Sequence, residues 1–223
     1  MNIAEIRAFL ADLENNNDKA WFDANKKRFK AEVEAPLCAL IGTLDGPLSS
    51  LDPQLKAVPK VNGSLRRIYR DTRFSKDKTP YHTHLHLIFW AGDHANRSPG
   101  VHVIFNKDTI GFGAGHWAFD DAQLARYRQL VDADGGAKVA QTIAQVEKAG
   151  VVLDEPQLAR VPRGFDKAAE GADWLRHKGL VVKSGNISYP AALDDLEGAT
   201  KYVLELCEKM APLNKFLMDE IWD

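Results

Sequence analysis

The segment Gly100-Val-His-Val-Ile-Phe-Asn-Lys-Asp-Thr-Ile-Gly-Phe-Gly113 is the strongest indication of the fold in this chain. Its first half, Gly100 to Phe105, alternates in the way of a half-buried β-strand. The turn residues Asn106-Lys107-Asp108 follow, and the chain returns with Thr109 to Gly113. Together with the apolar run Leu85 to Ala91, these segments predict a β-meander. Its strands are antiparallel, because the connections are too short for helical crossovers.

Apolar residues at intervals of three and four predict helices before the meander, over residues 1–58. A first helix stops at Asn15-Asn16-Asn17, and Asp18 caps a second helix. A third helix begins near Pro36, which a first turn tolerates. Its helical pattern continues to Leu51, and Gly46-Pro47 and Asp52-Pro53 mark a ragged end. The N-terminal quarter is therefore predicted to be helical.

Residues 120–223 predict further helices and short strands. Asp120, with Gln123 three residues later, resembles a capping box. The last helix runs from Ala191 or Ala192 to Ile221, and Pro212 is expected to kink or end it. Short strands are predicted at 65–69, 151–153, 158–160 and 180–183. The fold class is α+β: one domain over residues 1–223, with an antiparallel sheet, mainly from residues 60–119, covered by N-terminal, central and C-terminal helices.

The composition is that of an ordinary globular protein, with 45% hydrophobic and 27% charged residues in a chain of 223. The longest strongly apolar run, Leu85 to Ala91, is far shorter than the ~20 residues of a membrane span. Glu5 and Asp12 interrupt the apolar N-terminus, which is atypical of a secretory signal. Cys38 and Cys207 have no paired spacing and are predicted to be reduced core residues. These features predict a cytoplasmic protein without a membrane partner.

A basic stretch precedes the meander. Between Lys60 and Lys78 there are seven basic and two acidic residues, a local charge of +5 in a chain of net charge −2. Arginine forks bind carboxylates and phosphates through paired hydrogen bonds. The stretch therefore predicts a cleft for a small phosphorylated or carboxylated ligand. The predicted ligand-binding residues are Arg67, Arg70, Arg73, Lys78, Tyr81, Trp117 and Arg163. The alternative is an internal salt-bridge network in which Asp71 and Asp77 pin a loop against the sheet.

The segment Arg67-Ile-Tyr-Arg-Asp-Thr-Arg-Phe-Ser-Lys-Asp-Lys-Thr-Pro-Tyr81, here named the signature segment, resembles the signature of the domain-of-unknown-function 2461 family of bacterial and fungal proteins. Other segments are similar to the family as well: Phe9 to Phe22, Gly111 to Trp117, and Pro162-Arg163-Gly164-Phe165. The resemblance therefore covers nearly the whole chain. His82 stands where such proteins are expected to have lysine. The resemblance implies no particular activity or cofactor.

The histidine-rich segment His82-Thr83-His84-Leu85-His86 is a second candidate site. If it is extended, its three histidines lie on one face of a strand. With His102 and His116 on neighbouring strands and Asp71 as an oxygen ligand, they would form a transition-metal site. The alternative is a solvent-facing polar row on an antiparallel strand. The polar row is favoured, so no metal ligand is predicted.

The glycines of Gly111-Phe-Gly-Ala-Gly115 leave one face of a strand without side chains. Such a face either lets another backbone approach or forms the floor of a cleft. Close approach is favoured, with Trp117 filling the neighbouring space. The pattern lacks the spacing of a dinucleotide fingerprint, and the sequence names no cofactor.

The residues leave an enzyme and a binding module as alternatives. In an enzyme, Asp71 is the predicted base and His84 the predicted proton shuttle. A non-enzymatic module would bind nucleic acid or a protein, with the signature segment as a rigid scaffold. Tyr69 and Phe74 among basic residues suit nucleic acid, but a sequence pI near 6.4 disfavours it. A small anionic ligand is the favoured partner, and the oligomeric state is not fixed by these residues.

Overall fold

A computed structural model describes residues 1–222. The helices are α1 (Ile3–Asn15), α2 (Lys19–Phe29), α3 (Ala35–Leu51), α4 (Asp121–Asp134), α5 (Ala137–Glu147) and α6 (Leu196–Glu220). The strands are β1 (Leu55–Lys56), β2 (Leu85–Ala91), β3 (Gly100–Phe105), β4 (Thr109–His116), β5 (Val151–Leu153), β6 (Leu180–Ser184) and β7 (Ile187–Ser188). The α+β fold class is confirmed.

The strands form one antiparallel sheet in the order β1-β2-β3-β4-β6-β5, with β7 also paired to β4. The central β3–β4 hairpin turns at the predicted residues, since the Asn106 N–H donates to the Thr109 carbonyl at 2.8 Å. The pairs Val103–Phe112 and Ile104–Gly111 set its register. The predicted meander of β2, β3 and β4 is therefore confirmed.

Two of the predicted short strands are wrong. In residues 65–69, Leu65 bridges to Leu87 and Tyr69 bridges to Tyr81. The two ends of this segment thus have different partners, which prevents a continuous ladder. Residues 158–160 are not a strand either, because the Leu158 N–H bonds to a 3₁₀ helix rather than to the sheet.

The two faces of the sheet carry different side chains. One face is fully buried under the helices, with Leu87, Phe89 and Val103 at 0% exposure, and α6 packs along β3 and β4. Side chains of the other face alternate with these along the same strands. Ile88 and Trp90 of that face are buried, yet they lie outside the hydrophobic core cluster. This second face is the open face of the sheet.

The helix after α2 ends at Leu51 as predicted, but it is not ragged at Pro47. A π-helical segment, Lys30–Glu34, joins α2 to α3, and Pro36 lies in the first turn of α3 as predicted. However, α3 continues through Pro47 to Leu51 without fraying. Leu44 and Leu48 are fully buried on both sides of this proline. Their packing compensates for the hydrogen bond that proline removes.

The last predicted helix is two elements. Residues Ala191–Asp194 form a 3₁₀ helix, and α6 begins only after Asp195, whose side chain accepts a hydrogen bond from the Gly198 N–H at 2.8 Å. Pro212 does not end α6, because buried Leu213 on its far side keeps the helix packed. The capping box predicted at the start of α4 is confirmed.

Both cysteines are unpaired, with Cys207 buried and Cys38 partly buried. Within residues 1–222, none of the helices combines the length and the apolar character that crossing a membrane requires.

Candidate functional site

The signature segment closes into a loop whose base is fixed to α2. The rings of Tyr81 and Phe22 stack with centroids 4.2 Å apart, and Tyr81 is only 2% exposed. The Asn17 side chain binds the Tyr81 backbone twice, at 2.9 and 3.1 Å. Across the base, Tyr69 pairs with Tyr81. Tyr81, a predicted ligand residue, is therefore part of the core.

The first charge cluster in this loop is built around Arg70. Its guanidinium donates to the Asp77 carboxylate at 2.6 Å and to the Thr79 carbonyl at 3.0 Å. The Thr79 N–H in turn donates to Asp77 at 2.9 Å. These bonds, led by that from Thr79, lower the pKa of Asp77 to about 2. Arg70 therefore closes the loop by binding residues on the other side of it.

A second cluster lies nearer the loop tip. Arg73 holds Asp71 through Nε at 3.0 Å and through Nη2 at 2.7 Å, and this hydrogen bonding lowers the pKa of Asp71 to about 2. The Lys78 ammonium donates to the Thr72 carbonyl at 2.8 Å. The loop therefore has the internal pairing of the salt-bridge alternative. Ligand binding by these basic residues stays a prediction.

A cleft of about 560 Å³ lies on the open face of the sheet. It is named the sheet cleft here and is defined by Arg66, His86, Ile88, His102, Ile104 and Trp117 together with the glycine-rich strand β4. The loop between β2 and β3 forms one wall through Asn96 and Ser98, and Asn186 lies on the opposite side. Arg67, Arg70, Arg73 and Lys78, the basic residues of the predicted cleft, are not in this lining.

Strand register brings the polar side chains of the sheet cleft together. The Arg66 N–H donates to the His86 carbonyl at 2.9 Å, which places this residue beside β2. His86 lies opposite Ile104 on β3, and Ile104 lies opposite Gly111 on β4. A parallel row contains Ile88 opposite His102. The side chains of both rows point to the open face because paired residues share a face.

Arg66 is the cation of the sheet cleft. Its guanidinium donates to the Asn96 side-chain carbonyl at 2.5 Å, and within residues 1–222 no carboxylate is within salt-bridge distance of it. Burial, followed by the nearby charge of Arg67, lowers the pKa of Arg66. The guanidinium therefore lacks the acidic partner that Arg70 and Arg73 have.

Two histidines next to Arg66 form a hydrogen-bonded pair. His86 Nε2 and His102 Nδ1 are 2.7 Å apart, so one nitrogen donates and the other accepts. Burial lowers the pKa of both, and repulsion from a protonated neighbour and from Arg66 adds to this effect. The pair is therefore neutral near pH 7.

The histidine-rich segment does not gather into the metal site considered above. β2 begins at Leu85, so His86 is the one histidine of that segment that lies in the strand. The rings of His82 and His84 contact each other outside it in a tilted arrangement, with centroids 5.0 Å apart. Within residues 1–222, no group of three or more His, Cys, Asp or Glu side chains is arranged to hold a metal ion.

The glycines of β4 serve both purposes that the sequence left open. A Cβ at Gly113 would lie 2.3 Å from the Val182 carbonyl oxygen, and one at Gly115 would lie 2.0 Å from that of Leu180. These two glycines thus permit the close approach of β6. A Cβ at Gly111 would meet no atom nearer than 3.5 Å, so this glycine leaves space at the floor of the cleft.

The remaining predicted residues lie in different places. Trp117 lines the sheet cleft at its rim, but it is 76% exposed and does not fill the space beside the glycines, contrary to the prediction. Asp71, His84 and Arg163 are not among the residues that line the cleft. Their roles stay predictions. Arg66 is the residue that the prediction missed, although the alternation of the basic stretch already separates its face from that of Arg67.

These features define the class: an α+β protein with a helix-backed antiparallel sheet whose open face bears a cleft. A family profile described as "Conserved hypothetical protein (DUF2461)" matches residues 5–216. The chain therefore belongs to this family, which confirms the resemblance seen in the signature segment. Neither a search of curated proteins nor a search of solved structures found a match.

Proposed function

We propose that the protein binds a small carboxylated or phosphorylated molecule with an apolar body in the sheet cleft. The observation that carries this proposal is the position of Arg66, a partly buried guanidinium without a carboxylate partner on the wall of a largely apolar cleft. An anion supplies the missing partner through two parallel, charge-assisted hydrogen bonds. Ile104, which is partly exposed, offers an apolar surface to the rest of the ligand.

The electrostatics of the cleft favour an anion over a metal cation. A metal ion at the His86–His102 pair would lie beside the positive charge of Arg66, which opposes its binding. The same charge attracts an anion. A desolvated anion is stabilised only where it is paired and hydrogen-bonded, and Arg66 provides both.

Adjacent arginines make a matched test. Arg66 lines the sheet cleft, whereas its neighbour Arg67 is exposed and does not. We expect a thermal-shift screen of carboxylates, phosphates, nucleotides and divalent metals to find an anion that stabilises the normal protein and Arg67→Ala. The same anion should not stabilise Arg66→Ala. At ~100 times its dissociation constant, a ligand adds about 2.7 kcal/mol of stability.

The screen also tests the predicted ligand residues in the signature segment. If Arg70→Ala or Lys78→Ala abolishes the shift and Arg66→Ala does not, the loop binds the anion and the sheet-cleft proposal is wrong. If the hit is a divalent metal that requires His86, the metal alternative replaces it. Asp71 and His84, the predicted base and proton shuttle, become relevant only once a ligand is known.

A second candidate is a non-enzymatic module that binds a macromolecule through the signature segment. Phe74 at the loop tip is 95% exposed, and Arg73 stacks near its ring at 5.8 Å. An exposed ring beside cations is suited to stacking on a base. Fluorescence anisotropy with a single-stranded oligonucleotide tests this: binding that requires Phe74 and weakens at least tenfold between ~50 and 200 mM salt would support it.

We also propose a cytoplasmic location. Cys38 and Cys207 are both unpaired, which is the usual state of cysteines in a reducing compartment.

A further inference from the structure

The charges that line the sheet cleft leave one positive charge unbalanced. Arg66 and Lys183 are the cationic residues of the lining. The Lys183 ammonium forms a salt bridge with Asp154, so its charge is already neutralised. No carboxylate lines the cleft within residues 1–222. His116 also lines the cleft, and burial lowers its pKa, which favours the neutral ring. The net charge that a ligand meets at neutral pH is therefore that of Arg66.

The histidine pair does not add a second charge near neutral pH. His86 and His102 bond to each other at 2.7 Å in the neutral state, and a proton on either ring is opposed by burial and by Arg66. The ring nitrogens outside this bond are neutral donors or acceptors. They can hydrogen-bond to a ligand oxygen without changing the charge balance.

This balance separates carboxylates from phosphate monoesters. A carboxylate has one negative charge, which Arg66 neutralises through a bidentate pair. A phosphate monoester carries about −1.5 to −2 at pH 7. Its second charge would be partly desolvated without a partner, which is unfavourable in an apolar surrounding. The cleft should therefore discriminate between the two groups.

The floor of the cleft suits a flat ligand body. Ile104 projects from β3 and is partly exposed, while Gly111 opposite it on β4 and Gly113 opposite His102 have no side chains. The result is an apolar platform next to Arg66. Trp117 stands exposed at its rim, where an indole ring can cover a ligand edge. The volume of about 560 Å³ is in the range of small-molecule sites.

We propose that the ligand of the sheet cleft is a monocarboxylic acid with a flat aromatic body, and that the cleft disfavours the phosphate monoester of the same body. This inference rests on the proposed function and names its ligand class. Arg66 binds the carboxylate, the histidine pair hydrogen-bonds one of its oxygens, and the ring lies over Ile104 and the glycines of β4. Trp117 contacts the ring at the rim.

Calorimetry with matched probes tests the inference. The probes are 2-naphthoate, 2-naphthyl phosphate and neutral 2-naphthamide, measured at pH 7.5, where the phosphate is mainly a dianion. We expect 2-naphthoate to bind about tenfold or more tightly than either other probe, a difference of about 1.4 kcal/mol or more. Arg66→Ala should reduce the affinity for 2-naphthoate to that for 2-naphthamide. Arg67→Ala should bind like the normal protein.

A variant of the rim completes the design. Trp117 is largely exposed, so Trp117→Ala should fold normally while weakening 2-naphthoate and 2-naphthamide by a similar factor. If 2-naphthyl phosphate binds as tightly as 2-naphthoate and still requires Arg66, the monocarboxylate class is wrong and the proposed anion site stands. If 2-naphthoate does not bind but another anion requires Arg66, the flat aromatic body is wrong. If no anion requires Arg66, both proposals are wrong.

Discussion

The signature segment and the sheet cleft both contain arginines, but they use them differently. In the signature segment, Arg70 and Arg73 are within 3 Å of Asp77 and Asp71, so their charges are balanced inside the loop. In the sheet cleft, Arg66 has an amide partner and no carboxylate within residues 1–222. The remaining cations of the signature segment, Arg67, Lys76 and Lys78, are exposed to solvent, whereas Arg66 is partly buried. A partly buried charge without an acidic partner, rather than a high density of charge, indicates an anion site.

The base of the signature loop should contribute more to stability than its charged tip. Tyr81→Ala is therefore expected to cause the largest loss of stability. The variant removes a buried ring stacked on Phe22. Truncations of this kind lower the free energy of unfolding by about 4 kcal/mol. Urea denaturation measures the loss. Tyr81→Phe is the control and should be nearly neutral, because the Asn17 bonds go to the backbone. A loss below about 1 kcal/mol in Tyr81→Ala would show that the loop base is not a structural anchor.

Some residues that line the cleft are also needed for stability, and Gly115→Ala should be the most destabilising substitution among the glycines of β4. Gly115 has φ +118° and would place a Cβ 2.0 Å from the Leu180 carbonyl oxygen. Strain and overpacking of this kind lower the free energy of unfolding by about 3 kcal/mol. Thermal or urea denaturation will show the difference from Gly111→Ala, whose Cβ has room. Gly111→Ala should keep the stability but weaken ligand binding, because its methyl group enters the cleft. Equal losses of stability in both variants would contradict this view of β4.

Substitutions of Arg70 and Arg66 should have opposite effects on stability and on ligand binding, which tests the comparison directly. Arg70→Ala breaks the bonds to Asp77 and Thr79 and should lower the free energy of unfolding by about 1 kcal/mol. Its affinity for a sheet-cleft ligand should be unchanged. Arg66→Ala should do the opposite, with lost binding and little change in stability. Urea denaturation and calorimetry on both variants measure these effects, and Arg73→Ala, at the exposed loop tip, serves as a variant expected to change neither. If Arg70→Ala loses ligand affinity while folded, the two regions act as one site.

The smallest effect at neutral pH is expected from the histidine pair. Burial lowers the pKa of His102 to about 4, whereas an unfolded histidine takes up a proton near pH 6.5. Between these values the unfolded chain binds more protons, so the free energy of unfolding falls as the pH decreases from about 6.5 to 4. His102→Gln should make this fall shallower in urea denaturation across that window. Above pH 7.5 the curves of both proteins should run parallel. Identical slopes from pH 6.5 to 4 would mean that His102 is not held neutral in the folded protein.

Local sequence patterns predicted most of the fold. The alternation from Gly100 to Phe105 and the turn after it predicted the β3–β4 hairpin, and the Asp120 capping box predicted the start of α4. The wrong predictions are the strands at 65–69 and 158–160 and the ragged helix end at Pro47. Pro47 and Pro212 lie inside helices, because buried leucines on both sides stabilise what the local preference opposes.

The residues of the candidate site could be predicted only in part from the sequence. The basic stretch and the histidines were recognised, and Trp117 proved to line the cleft. Arg66 was not among the predicted ligand-binding residues, because it lies just outside the signature segment from which most of them come. Whether an arginine has an acidic partner depends on how the loop that contains Asp71 and Asp77 folds. The spacing of these residues in the sequence does not predict that.

The α+β class, the antiparallel meander and the family can be predicted from the sequence alone, because they depend on periodicity, turn residues and a local signature. The pairing of Arg70 and Arg73 within a loop, and the position of Arg66 in a cleft beside His86 and His102, are visible only in the folded protein. The physical reason is that His86 and His102 lie on different strands, so strand register brings them together. Charge balance at a site is the sum of such long-range neighbours, and it exists only in the folded chain.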